Sequence, residues 1–281
     1  MNWIGRIWVG LVIVAFTQPS VVAAQDAFSS AAGRLVDVGG YKLRFNVAPG
    51  DVPVFLFESG GGTDSSYWGQ VAEAIHAATH ATVITYDRAG YGSSEQNPDE
   101  YAIHDAVTAL ETALDTLGFQ KDVIVIAHSY GAFLAAILAS RNEERLQGMV
   151  FVEGNLSPYF TQDQVEKIEQ EIEPNLEALH ACCPSLAQEF GAFGSTVETM
   201  RTVQISEEIP LLDIVAGNPS SRTPEENARY RQIHAEFTDA SPERALVIAE
   251  GSGHNVMVDA PDFLAEEILS FARRLGARFE E

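Results

Sequence analysis

Basic residues are scarce in this 281-residue chain. Seventeen Lys and Arg stand against 40 Asp and Glu, a formal net charge of -23. So negative a surface repels phosphate backbones and anionic lipid, which argues against a nucleic-acid partner and against polybasic membrane attachment. Cysteine is scarcer still, two residues, adjacent at Cys182 and Cys183. With no further cysteine and no Cys/His spacing they support neither a metal site nor a catalytic thiol. Neighbouring Cα atoms lie about 3.8 Å apart, below the roughly 4.4 Å where disulfides usually begin, so a vicinal bridge is strained. The plainer expectation is two small thiols, buried or partly buried. No D-x-[DN]-x-[DN]-G loop occurs among the acids, which removes the EF-hand reading. No apolar run reaches the length of a bilayer span, and no repeat of 20–50 residues is visible.

What the N-terminus does carry reads as an address. Arg6 precedes a 10-residue apolar stretch over residues 7–16, Pro19 breaks it, and Val22-Ala23-Ala24 offers small residues before Gln25. This is the pattern of a cleaved secretory signal over 1–24. It predicts a secreted or periplasmic protein with no stable membrane anchor after processing.

Beyond it, short apolar runs alternate with helical patterns. Residues 34–38 and 41–47 read as a hairpin split by Gly39-Gly40, and strands are predicted over 52–57, 82–86, 122–127, 148–152, 211–216 and 245–249. Helices are predicted over 67–78, 102–117, 130–141, 224–237 and 261–275. Strands apolar on both faces, alternating with helices, imply an α/β fold: a mostly parallel doubly wound sheet. The segment 156–209 lacks strand signals and is too long for a plain connection. It reads as a helical cap, with helices over 162–173, 175–180 and 195–201, inserted into a core made of 25–155 and 210–281.

The strongest motif is Ala127-His128-Ser129-Tyr130-Gly131, which follows a β-run and opens a helix. A strand that turns straight into a helix must pinch sharply, and small residues two before and two after the centre permit it. The central Ser129 is then strained, with its hydroxyl exposed above the sheet. Serine needs an adjacent base to act as a nucleophile. Of seven histidines, His254 stands in Gly251-Ser252-Gly253-His254-Asn255, just after the last strand, where a loop reaches the carboxyl end of the sheet. His128 reads as packing or support, and His180 as a candidate pocket-lining residue of the cap. Glu153 is a carboxylate at the tip of an apolar strand, costly there unless paired. Asp213 is the alternative acid, but it lies inside its strand. Asp259 reads as a cap for the last helix, with Pro261 at its first position.

Together with Glu58-Ser59-Gly60-Gly61-Gly62 and Tyr86-Asp87-Arg88-Ala89-Gly90-Tyr91-Gly92, these motifs stand in the chain order of the α/β-hydrolase fold family, which the sequence resembles over about 34–275. The resemblance implies a triad of Ser129, His254 and an acid. Relatives most often place that acid beyond the strand read at 211–216, where this chain has Asn218-Pro219-Ser220-Ser221-Arg222 and no carboxylate. Some place it at the end of the preceding strand, which selects Glu153. It also implies an oxyanion hole from the amides of Tyr130 and Gly61, with Gly62 as the alternative. Glu58 and Arg88 are expected to form a buried ion pair shaping that region. Tyr67, Trp68, Tyr159 and Phe160 are expected to wall an apolar substrate pocket.

The implied activity is hydrolysis of a small-molecule carboxylic ester without cofactor or metal. Serine at the elbow argues against the dehalogenases and epoxide hydrolases of the family, which use a carboxylate there. A peptidase, amidase or lactonase with the same triad is the alternative, and a noncatalytic ligand-binding relative is a second. Nothing in the sequence specifies an oligomeric state.

Overall fold

The computed structural model describes residues 33–219 and 222–277, so the leader read over 1–24 lies outside them. The described residues form one eight-stranded sheet: β1 Arg34–Asp37, β2 Lys42–Ala48, β3 Asp51–Glu58, β4 Ala81–Asp87, β5 Val123–His128, β6 Leu146–Val152, β7 Leu211–Ala216 and β8 Arg244–Ala249. The order is β1-β2-β4-β3-β5-β6-β7-β8, with β1, β2 and β4 paired antiparallel and the rest parallel. In register, Leu56 of β3 stands beside Ile84 of β4 on one side and Val125 of β5 on the other.

Ten α-helices occur among the described residues. α1 Gly69–Thr79, α2 Ile103–Leu117 and α3 Gly131–Arg141 follow β3, β4 and β5. Between β6 and β7 come α4 Gln162–Ile172, α5 Leu176–Cys182, α6 Pro184–Gly191 and α7 Phe193–Met200. The chain closes with α8 Pro224–Asp239, the short α9 Val256–Asp259 and α10 Pro261–Arg274.

The two-residue period of the strands divides the core. Phe55, Phe57, Ile124, Ile126, Val150 and Val152 pack against Val71 and Ile75 of α1 and Leu264 and Ile268 of α10. The alternate positions, Leu56, Val125, Met149 and Phe151, face Leu110 and Leu114 of α2 and Leu134 and Leu138 of α3. α3 is apolar nearly all round, GAFLAAILASR, and nine of its residues are buried, as a helix needs to be when covered on more than one side. α2 stops where Gly118 takes a left-handed φ of 88°.

The cap helices bury a small cluster of their own, Ile172, Leu179, Leu186, Ala187 and Phe190. α4 begins with a capping box between Thr161 and Gln164, and Asp163, Glu166 and Glu169 are exposed. α6 is a helix that periodicity did not predict. Pro184 reads as a breaker in sequence but occupies the first turn of a helix, where its missing N–H costs nothing. Cys182 and Cys183 are exposed at the α5–α6 junction rather than buried, since the inward positions there are taken by Leu179 and Leu186. Asp259 does not cap α10, whose N-cap is Ala260. Its carboxylate turns back and accepts from the Gly253 N–H at 2.8 Å.

Candidate active site

Between β5 and α3 the chain turns within two residues, and Ser129 takes a φ of 50°. That left-handed conformation is costly for a residue with a Cβ and persists only where surroundings fix it. Here the Ser129 N–H donates to the Val152 carbonyl at 3.1 Å, and the Ser129 carbonyl accepts from Asn155 N–H at 2.9 Å and Ala132 N–H at 3.1 Å. Gly131 has to be glycine: a Cβ there would stand 2.6 Å from the Ser59 carbonyl oxygen. Ala127, at the other flank, is fully buried and fits.

Glu153 follows β6 directly, also with a φ of 50°. Its N–H donates to the Ile214 carbonyl at 2.7 Å, which ties it to β7. One carboxylate oxygen, Oε1, accepts from the Ala216 N–H at 2.7 Å. The other, Oε2, accepts from His254 Nδ1 at 2.9 Å and from Arg222 Nη2 at 2.5 Å. The side chain is 0% exposed. Burial pushes its carboxyl up, but the His254 hydrogen bond and the Arg222 charge outweigh that and hold it at about 2. With Nδ1 engaged by Glu153, Nε2 is the His254 nitrogen left to exchange a proton with a serine.

The His254 loop is held from two sides. Asp259 grips Gly253 N–H, and His128 Nε2 lies 3.0 Å from the His254 carbonyl. Burial is the largest of the effects that lower His128, to about 3, so its ring is neutral and donates that bond. His128 is therefore a support beneath His254, with ring centroids 4.7 Å apart. Asp213, the alternative acid, sits wholly buried within β7 and meets His234 Nδ1 of α8 at 2.6 Å. Burial raises its carboxyl. It is a second carboxylate–histidine pair, separate from the Glu153–His254 pair.

Beside the elbow, the loop Ser59-Gly60-Gly61-Gly62 lies over His128 and Ser129; a Cβ on Gly60 would stand 2.6 Å from His128 Nδ1 and 3.4 Å from Ser129 Cβ. Arg88, buried, reaches this loop and Glu58 together. Its Nη1 donates to Glu58 Oε1 at 2.7 Å and to the Ser59 carbonyl at 2.5 Å, and Nη2 donates to the Gly60 carbonyl at 2.8 Å. Tyr86 donates to the other Glu58 oxygen. Gly61 lines the cavity in front of Ser129, and Gly62 is not among its lining residues. That favours Gly61 over Gly62 as the oxyanion donor.

Gly61, Ser129, Tyr130 and His254 share one cavity of about 120 Å³. The cap roofs it with Tyr159, Phe160, Phe190 and Phe193, and Arg222 and Tyr230 wall one side. Two of the four aromatics expected from sequence are therefore present. Tyr67 and Trp68 are not: Trp68 is 0% exposed, packed on Phe57 and edge-on to His128, and Tyr67 packs on the core beside α1. Both belong to a short 3₁₀ turn, Ser65–Trp68, between β3 and α1. His180 is exposed and does not line the cavity.

Three supporting residues escaped the sequence reading. Arg222 ends a segment, 218–222, that attracted notice only for lacking a carboxylate. Glu189 lies on the unpredicted α6, and Asp259 looked like a helix cap. The one signal available for Arg222 was its place in the loop after β7, next to where an acid is usual in relatives.

Comparison with known proteins agrees with this architecture. The family model described as alpha/beta hydrolase fold matches residues 53–173. An uncharacterised Bacillus subtilis (strain 168) protein, YqjL, is 25% identical over 211 residues, covering 73% of this chain and 78% of that protein. A haloalkane dehalogenase of Mesorhizobium japonicum is 35% identical over 101 residues, and the chain spans only 32% of its length, or 36% of its own. Among solved structures, a thermophilic esterase from Thermogutta terrifontis superposes with a TM-score of 0.62 at 18% identity, covering 87% of this chain and 99% of that one.

Proposed function

This chain is an α/β-hydrolase-fold protein, and from that premise we propose that it is a serine hydrolase cleaving carboxylic esters through an acyl-enzyme on Ser129. One observation carries the reading. A serine held at a φ of 50° shares a cavity with a histidine whose Nδ1 is bound by a buried carboxylate. In this mechanism His254 Nε2 takes the Ser129 proton as Oγ attacks the substrate carbonyl. The oxyanion is met by the amides of Gly61 and Tyr130. The proton on Nε2 passes to the leaving alcohol, and a water then repeats the sequence to release the acid. Glu153 fixes the imidazole tautomer and stabilises its cation, and Arg222 keeps Glu153 ionised.

The dehalogenase likeness covers about a third of each chain. Displacement at a saturated carbon calls for a carboxylate nucleophile, and the elbow here carries Ser129. Amides, peptides and lactones demand the same groups, so they form the alternative substrate classes. The experiment is labelling with a fluorophosphonate, followed by a panel of p-nitrophenyl esters, peptide anilides and lactones. We expect wild type but not Ser129→Ala to be labelled, with esters turned over fastest. An unlabelled wild type refutes the serine hydrolase; faster anilide or lactone turnover transfers the substrate class. We also propose export directed by residues 1–24, which N-terminal sequencing of the mature protein checks.

A further inference from the structure

The cap does more in this chain than roof the cavity. Glu189 of α6 is a buried carboxylate inside a cap helix, and both its oxygens are used by the core: Oε1 accepts from Arg88 Nε at 3.0 Å and Oε2 from the Tyr91 hydroxyl at 2.8 Å. Its side chain and that of Arg88 are each 5% exposed. An unpaired charge at that depth is costly, so the two hold each other. Arg88 spends its other nitrogens on Glu58 and on the carbonyls of Ser59 and Gly60.

The Gly60 carbonyl is the decisive contact. It belongs to the same planar peptide as the Gly61 N–H, and in a trans peptide the two point in opposite directions. A guanidinium pulling on that carbonyl therefore fixes where the Gly61 N–H aims. Because hydrogen bonds in series polarise one another, it also makes that N–H a stronger donor. Tyr91 holds the second oxygen of Glu189, and its ring lies 5.2 Å from the Arg88 guanidinium carbon.

We propose that Glu189 is a positioning residue supplied by the cap: held by Tyr91, it sets the orientation of the Gly60–Gly61 peptide through Arg88, so the oxyanion hole is complete only when α6 is seated. This rests on the serine hydrolase reading. Substrate that packs under Phe190, the neighbour of Glu189, bears on the same helix that orients the amide. Turnover and cap closure are thereby coupled without any residue of the triad moving.

The test uses the full chain, p-nitrophenyl butyrate as substrate and a short alkyl trifluoromethyl ketone, whose serine adduct places an oxyanion in the hole. Active sites are counted by fluorophosphonate titration, so loss of folded protein does not register as loss of rate. We expect Glu189→Gln, which keeps the shape and removes the charge, to lower kcat per titrated site at least tenfold with KM within about twofold. The trifluoromethyl ketone should weaken by a similar factor. Tyr91→Phe, which spares the ion pair, should show the same pattern at a smaller size, and it stands as the test if Glu189→Gln fails to fold. A labelled, active wild type whose variant matches it in kcat and in ketone affinity overturns the proposal alone. A wild type that neither labels nor turns over any panel substrate overturns the serine hydrolase reading, and this inference with it.

Discussion

Two residues of the site sit in left-handed backbone, Ser129 and Glu153, and each is fixed by hydrogen bonds to a neighbouring strand or turn. Strain of this sort is tolerated where it aims a side chain. In Glu153→Gln the aim is kept while the charge that stabilises the imidazolium is lost, so we expect kcat to fall about 10³–10⁴-fold with folding preserved. Asp213→Asn should leave kcat within a few-fold, because Asp213 serves His234; steady-state kinetics on the two variants decides between the acids. The same groups shape stability against pH. His128 has an ordinary value of 6.5 and is held at about 3, chiefly by burial, so below pH 6.5 the unfolded chain takes up a proton that the native ring refuses. Glu153, held at about 2 against an ordinary 4.5, adds a second loss between those values. Both contributions are present at neutral pH and are lost on acidification. The urea midpoint should therefore decline from about pH 6.5 downward and more steeply below about pH 4.5. His128→Asn should flatten the upper part of that decline, and an unchanged slope there would show that burial of His128 is not its source.

At the scale of elements, the elbow depends on how closely α3 and the glycine loop approach. A Cβ at Gly131 meets the Ser59 carbonyl oxygen at 2.6 Å and Glu58 Cγ at 2.8 Å, and neither backbone nor a buried ion pair yields easily. Gly131→Ala should cost about 1–3 kcal/mol of stability by overpacking, read by denaturant unfolding, and should slow fluorophosphonate labelling as the loop is displaced. That glycine was legible in the sequence, as were the strands, because a buried parallel sheet writes itself as runs such as Val123-Ile124-Val125-Ile126. Ser129, His254 and Glu153 were legible because each stands at a strand end marked by glycine. The parts that stayed hidden depend on contacts far apart in the chain. Trp68 and Phe160 are both aromatics near a strand end, and only packing separates the one buried against Phe57 and His128 from the one roofing the cavity. Glu189 and Arg88 are 101 positions apart, and no local pattern joins them. α6 was obscured for a local reason: eight residues starting at a proline carry too little periodicity to stand out.

Over the whole molecule the excess of acid sets the field. Forty carboxylates against 17 basic side chains leave -23 on a 281-residue chain, and net charge of that size strains the compact state through self-repulsion. The ion pairs on which the site relies, Glu153 with Arg222 and Arg88 with Glu58 and Glu189, are buried and little screened by salt, whereas the repelling charges lie mostly outside. Raising NaCl from about 10 mM, where the screening length is about 30 Å, to about 0.15 M, where it is about 8 Å, should therefore weaken the repulsion far more than the attraction. We expect the thermal midpoint to rise across that range. The same field acts on substrates before they reach Ser129. A neutral ester such as p-nitrophenyl butyrate should show a KM independent of salt, while a half-ester carrying a free carboxylate should show a KM that falls as salt screens its approach. Parallel changes for the two substrates would mean that salt acts on the cap or the site rather than on the field. A thermal midpoint that falls with salt would mean that surface attractions outweigh the acidic excess.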